Sequence, residues 1–214
     1  MPGDELRGLL RFMVLSGRLK RTMRTGWVDR GVPAERVESV ADHSFRVALL
    51  AWLASGGTAL DRNRVLALAL IHDLAEAITG DLTPYDRASA AGDDEARLAF
   101  LNRRHIPTAE RAAHKRAAET AAIAEMCRDL PSPLPAEIAS LWNELEERAT
   151  PEARFVKQVD KLETYLQSLE YAAELPDLPV ASFAAEVAAV IDVQELMSLR
   201  DAMPAVFEED GLLF

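Results

Sequence analysis

The spacing of the apolar residues constrains this chain more than any other feature. Leu6, Leu9, Leu10, Met13 and Val14 recur at the three-to-four-residue spacing of one helix face, and the alternation of a half-buried strand is nearly absent throughout. Stop signals cut the pattern into segments. A first helix is predicted over 4–21, before a loop carrying Gly26, Gly31 and Pro33. Ser39 or Asp42 is placed to cap a second helix containing HSFRVALLAWLA, which stops near Gly56 and Gly57. A third starts after Asp61, runs through RVLALALIHDLAEAI and ends at Gly80, with Pro84 in the loop beyond. The polar, interrupted stretch DRASAAGDDEARLAFLNRRHIPT reads as a mobile insertion with one short helix. Further helices are predicted over 108–129, over 135–148 after PSPLP, from Pro151 through ARFVKQVDKLETYLQSLEYAAEL, and over 180–202. With no repeat and no separating linker, the expectation is one all-α domain spanning 1–214, long enough to enclose a core.

Charge narrows the classes of partner. A formal net charge of −11 argues against polymeric nucleic acid, which is gripped by clustered Lys and Arg. It leaves room for a small phosphorylated substrate, because a metal ion reverses the sign of a site locally. The single cysteine, Cys127, has no partner for an internal disulfide, which fits a reducing compartment. No stretch is apolar for the length of a membrane span. The first residues carry Asp4, Glu5, Arg7 and Arg11 within their apolar pattern, a poor signal peptide. The expectation is a cytoplasmic protein with no membrane partner.

The segment IHDLAEAITGD raises the chemical question, because a run of core residues ends there in His72, Asp73, Glu76 and Asp81. Charge is costly to bury without a salt bridge, a hydrogen-bond network or a metal ion as partner. On a continuous helix, His72 and Glu76 are four apart and Asp73 and Glu76 three apart, so the three share a face. His43 lies near the start of the second helix. Asp160 repeats the anomaly, standing beside the stripe Val156, Val159, Leu162 and Leu166. One cause covers all of them: His43, His72, Asp73 and Asp160 as ligands of one divalent ion. Mixed nitrogen and oxygen donors suit Mn²⁺, Fe²⁺, Co²⁺, Ni²⁺ or Zn²⁺. Four protein ligands on an octahedral ion leave two positions for water and a substrate oxygen, as metal-assisted hydrolysis requires. A lone His-Asp dipeptide is common by chance; the spaced set H…HD…D is the specific signal.

ESVADHSFRVALLA, LALIHDLAEAITGDLTP and FVKQVDKLETYL resemble the corresponding segments of the HD-domain metal-dependent phosphohydrolases, in particular the 5′-deoxynucleotidase branch and its eukaryotic relatives. RTGWVDRGV resembles the substrate-side loop of that branch. The resemblance runs over about 15–175 and is weak over 86–118, a variable insertion, and beyond 175. It implies a helical HD-domain bundle with additional C-terminal helices and one divalent transition-metal ion held by His43, His72, Asp73 and Asp160.

It also implies roles for other residues. Glu76 matches the carboxylate that handles the attacking water, the alternative being a group that orients His72. Asp81 matches a carboxylate near the substrate, or is a turn-forming Asp after Gly80. Arg24 and Trp27 match the residues that hold phosphate and test the sugar. Their RTGW spacing is closer to the eukaryotic form than to the bacterial one, in which Arg and Trp are adjacent. Lys20, Arg21 and Arg30 compete with Arg24, and Lys157, sharing a face with Asp160, either touches phosphate or pairs with that acid. Ser39, Asp42 and Ser44 read as caps or groups orienting His43, and His105 and His114 as solvated. Cys127 lacks the His–acid arrangement of a thiol nucleophile. The implied reaction is hydrolysis of 2′-deoxyribonucleoside 5′-monophosphates by a homodimer. The alternatives are another small phosphomonoester as substrate, or a metal-stabilised binding protein without turnover.

Overall fold

Caps set the boundaries of the long helices. Ser39 Oγ accepts from Asp42 N at 3.2 Å and Asp42 Oδ2 accepts from Ser39 N at 2.9 Å, a reciprocal box that opens α3 (Val40–Ala54). Asp61 caps α4 (Arg62–Ile71) and Thr108 caps α7 (Ala109–Cys127). Thr150, with Pro151 in the first turn, caps α9 (Pro151–Glu174). The computed structural model describes residues 3–87 and 93–209. Its other elements are α1 (Gly3–Ser16), a 3₁₀ turn over Gly17–Arg21, α2 (Thr25–Arg30), α5 (Glu76–Thr79), α6 (Asp94–Leu101), α8 (Leu134–Glu147), α10 (Ala181–Val190) and α11 (Gln194–Glu209). Among the described residues there is no strand, only an antiparallel bridge between Met23 and Ser39. The fold is all-α.

Two apolar clusters build the interior. In the larger one, α9 contributes Phe155, Val156, Val159 and Leu162, packed against Val47 and Ala51 of α3, Val65 and Leu68 of α4, and residues of α10 and α11. The second joins Leu19, Val40, Leu74 and Ala77 to Ile123 and Met126 of α7 and Trp142 of α8. Ala69 belongs to the first cluster and Leu74 to the second. His72 and Asp73 therefore lie on the seam between the two cores.

The structure departs from the predicted elements in four places. The helix predicted through to Gly80 ends at Ile71, and α5 begins only at Glu76. Between them the chain tightens to i→i+3 bonds, Leu74 N to Ile71 O and Glu76 N to Asp73 O among them. The loop predicted around Gly26 contains α2, closed by Gly31 in the left-handed region at φ 92°. The last predicted helix is broken over 191–193, where Gln158 Oε1 accepts from Asp192 N and Val193 N at 3.0 and 3.2 Å. The described part of the predicted mobile insertion is docked: Arg97 Nη2 donates to Asp29 O at 2.6 Å, and His105 packs on Phe100 and Tyr85 at 4.3 and 4.7 Å. Residues 88–92 of that insertion lie outside the described residues. His105 is thus half-buried rather than solvated, with burial as the first cause of its lowered pKa. No described helix is long and apolar enough to cross a membrane.

Gly8 brings α1 against the end of α7, where a Cβ would overlap the Asp129 carbonyl oxygen. Gly8→Ala is expected to lower unfolding free energy by about 1–3 kcal/mol through overpacking. An unchanged urea-unfolding midpoint would contradict this close approach.

Candidate metal centre

Hydrogen bonds to the rear nitrogens decide what the two histidines present. His72, just past α4, has Nδ1 2.7 Å from Ala69 O. A carbonyl only accepts, so Nδ1 donates and the neutral ring offers its Nε2 lone pair. His43, fully buried on α3, has Nδ1 2.5 Å from Glu163 Oε2 of α9, which assigns the same tautomer. The two Nε2 atoms are 3.4 Å apart. Asp73 Oδ2 is 3.2 Å from His72 Nε2 and 3.7 Å from His43 Nε2. Asp160 Oδ1 is 3.2 Å from His43 Nε2.

Four electron-rich atoms from α3, the turn after α4, and α9 therefore face one another. With no cation or proton between them, such lone pairs only repel. Metal–ligand bonds of roughly 2.0–2.1 Å place neighbouring donor atoms roughly 3.0–3.4 Å apart, close to the separations here. The donor set fits a divalent ion. Among the described residues, the ligand atoms of His43, His72 and Asp73 all lie within 4.8 Å of one another, as do those of Glu38, His43 and Glu163 behind them.

The electrostatics of the metal-free centre follow from the same crowding. Burial and Arg24 push the His43 imidazole down, but its contacts with Asp160 and Glu163 outweigh them and hold it up at about 9. Burial raises Asp73, yet His72, Arg24 and His43 hold its carboxyl well below the usual range. Asp160 behaves alike, with burial opposed first by Lys161 and then by the two histidines. Glu76 moves the other way. Burial, Asp73 and Asp81 lift its carboxyl well above the ordinary value against Arg24 and Lys115, and Oε2 is buried without a hydrogen-bond partner.

The substrate-side residues have distinct surroundings. Arg24 has Nη1 3.3 Å from Asp73 Oδ2 and 3.7 Å from Asp81 Oδ1, and Nη2 3.4 Å from Thr164 Oγ1. Burial alone would lower the Arg24 pKa, but Asp81, Asp73, Glu76 and Asp160 raise it. Asp81 Oδ2 accepts from Thr25 N at 2.5 Å and its carbonyl accepts from Thr25 Oγ1 at 2.8 Å, which clasps the start of α2 beside Arg24. Trp27 is 2% exposed, its indole N–H donated to Glu38 Oε1 at 2.7 Å and its ring against Tyr171 and Phe183. It belongs to an apolar cluster behind the loop. Lys157 pairs with Glu146 at 2.7 Å. Arg30 is buried, donating to Pro179 O, Gly26 O, Leu101 O and Ser182 Oγ, which makes it a strut between loops. Lys20 and Arg21 are exposed on the 3₁₀ turn.

Three residues near the centre escaped the sequence reading. Glu163 sits three positions past Asp160, a spacing that could have revealed it. Thr164 meets Arg24 from the next position. Lys115 lies one turn before buried Glu119 on α7; burial lowers its pKa, but Glu119, Glu76, Asp73 and Asp81 outweigh that and raise it.

Residues 16–188 match the HD domain family. The chain belongs to that family. It is 41% identical over 164 residues to mouse 5′-deoxynucleotidase HDDC2, covering 77% of this chain and 70% of the relative. The human protein of the same name is 40% identical over 169 residues, covering 79% and 71%. Among solved structures, a conserved hypothetical protein from Pyrococcus furiosus superposes with a TM-score of 0.64 at 30% identity, covering 92% of this chain and 99% of the other. The HD match spans α3, the turn after α4, and α9, the elements that bring His43, His72, Asp73 and Asp160 together.

Because the His43 pKa is raised from 6.5 to about 9 on folding, its proton stabilises the metal-free fold fully below pH 6.5. That contribution is lost as pH rises through about 9. The thermal midpoint of chelator-treated protein is expected to fall across this window, whereas a flat profile would remove His43 as the linked group.

Proposed function

We propose that this protein is a divalent-metal-dependent phosphohydrolase that removes the 5′-phosphate of 2′-deoxyribonucleoside 5′-monophosphates. The observation that carries the reading is the convergence of two imidazole lone pairs and two carboxylates beside Glu76, whose buried Oε2 lacks a partner. The names of the HDDC2 relatives support the substrate class.

His43, His72, Asp73 and Asp160 would hold Mn²⁺, Fe²⁺, Co²⁺, Ni²⁺ or Zn²⁺. When bound, the ion supplies Lewis-acid activation of water and of the phosphoryl group. Glu76 Oε2 accepts the proton of the attacking water; its carboxylate is more basic than usual because burial, Asp73 and Asp81 lift it above the ordinary value. Arg24 neutralises phosphate charge, kept in place by Asp81 through Thr25. Trp27 acts on sugar selection from behind, by fixing the 22–31 loop through Glu38. Lys157 serves the site only by leaving Glu146, and Lys115 only by leaving Glu119.

The expected setting is the cytoplasm, with a small nucleotide as partner and neither polymeric nucleic acid nor membrane. The expected assembly is a homodimer. Phe45, Leu49, Trp52 and Leu53 leave an exposed apolar stripe on α3 that a second copy would cover. Light scattering should return twice 23.5 kDa, and a mass of 23.5 kDa alone at working concentration would remove the dimer.

The decisive assay strips the metal, restores one ion at a time and measures phosphate release from paired deoxy- and ribonucleotides, with Asp73→Ala as control. Metal-dependent release from the deoxy series alone is expected. Release from both would discard sugar selection, and none from a metallated protein would favour a binding protein without turnover. Glu76→Gln should lower kcat by about 10²–10⁴-fold with metal retained; unchanged turnover would exclude it as base.

A further inference from the structure

Glu163 is a fully buried carboxylate outside the set of four donors. Burying such a charge costs several kcal/mol unless it is well partnered, so its partners indicate its use. Oε2 is 2.5 Å from His43 Nδ1, and Oε1, which makes no hydrogen bond, is in ion-pair contact with Arg46 Nε at 3.1 Å. Arg46 stands three residues after His43 on α3 and is itself held by α9. Its Nη1 donates to Gln167 Oε1 at 2.9 Å and to Glu170 Oε2 at 2.7 Å, and its Nη2 to Glu170 Oε1 at 2.8 Å. Glu163, Gln167 and Glu170 lie four and seven positions apart, on one face of α9. A continuous line of polar contacts thus runs from the metal-facing ring, through Glu163 and Arg46, to Glu170.

The two histidines differ in this respect. The rear nitrogen of His72 is held by a backbone carbonyl, which no side-chain substitution removes. The rear nitrogen of His43 is held by a side-chain carboxyl, which a substitution does remove. Its hydrogen bond keeps the proton on Nδ1, leaves Nε2 free to ligate, and makes the ring a more basic donor. Arg46 keeps Glu163 from turning away, from the Nδ1 side of the ring, where Arg46 and Glu170 line a cavity of about 420 Å³.

We propose that Glu163, anchored by Arg46, is a positioning residue that sets the tautomer, orientation and donor strength of His43 and thereby the metal affinity of the centre. The inference rests on the metal-centre reading above and concerns binding rather than turnover.

The test is Co²⁺ titration of metal-stripped protein, followed by calorimetry and by the visible absorption of the bound ion. Glu163→Ala should weaken Co²⁺ binding by about 10–100-fold and shift the absorption bands. Glu163→Gln, which keeps an acceptor oxygen but not the charge, should lose less. Arg46→Lys, at a partly exposed position, should also weaken binding, and it decides the matter if Glu163→Ala does not fold. A purely structural Glu163 would lower the unfolding midpoint yet leave Co²⁺ affinity and spectrum unchanged in the folded variants, and that result overturns the proposal. If the parent itself binds no Co²⁺, the metal centre falls and this role with it. Binding by the parent with equal affinity in every variant removes Glu163 alone.

Discussion

Two imidazole lone pairs and Asp73 Oδ2 lie 3.2–3.7 Å apart, with Asp160 Oδ1 3.2 Å from His43 Nε2, a crowding of electron-rich atoms that calls for a cation. That repulsion is the constraint the rest of the molecule answers. The apolar packing of α3, α4 and α9 is strong enough to impose it, and the Nδ1 contacts of both histidines leave the rings no alternative orientation. In the metal-free state Arg24 and the elevated His43 proton relieve part of the crowding, and a divalent ion relieves it more completely.

The HD pair sits on a local irregularity, the tightened turn after Ile71. Neighbours project about 100° apart around an α-helix and about 120° apart around a 3₁₀ turn, so the backbone alone does not bring the pair together. The side chains close the gap, with Asp73 Oδ2 3.2 Å from His72 Nε2. The turn is fixed from both sides, by Ala69 in one cluster and Leu74 in the other. The substrate-side loop is held separately, by the Asp81–Thr25 clasp in front and the Arg30 strut behind.

Much of this was legible in the sequence because it follows from period and burial. The all-α class, the helix starts at Ser39, after Asp61 and at Pro151, and the anomaly of acids beside apolar stripes need only local patterns. What was not legible depends on contacts across the chain. The break after Ile71 carries no Gly or Pro, so only tertiary packing reveals it. Trp27 and Arg30 sit in a motif that resembles a substrate loop, yet one faces an apolar cluster and the other spans to Pro179. Lys157 shares a helix with Asp160, but its partner Glu146 comes from α8. Lys115 pairs with Glu119 on its own helix, and only the fold brings Glu76, distant in sequence, close enough to act on its charge.

The distance along the chain between His43 and Asp160, 117 residues, orders events during synthesis. Until α9 has left the ribosome, the nascent chain holds the HD pair without its fourth donor and without Glu163 to fix His43. The arrangement of donors is therefore a property of the finished fold and of no shorter piece of the chain.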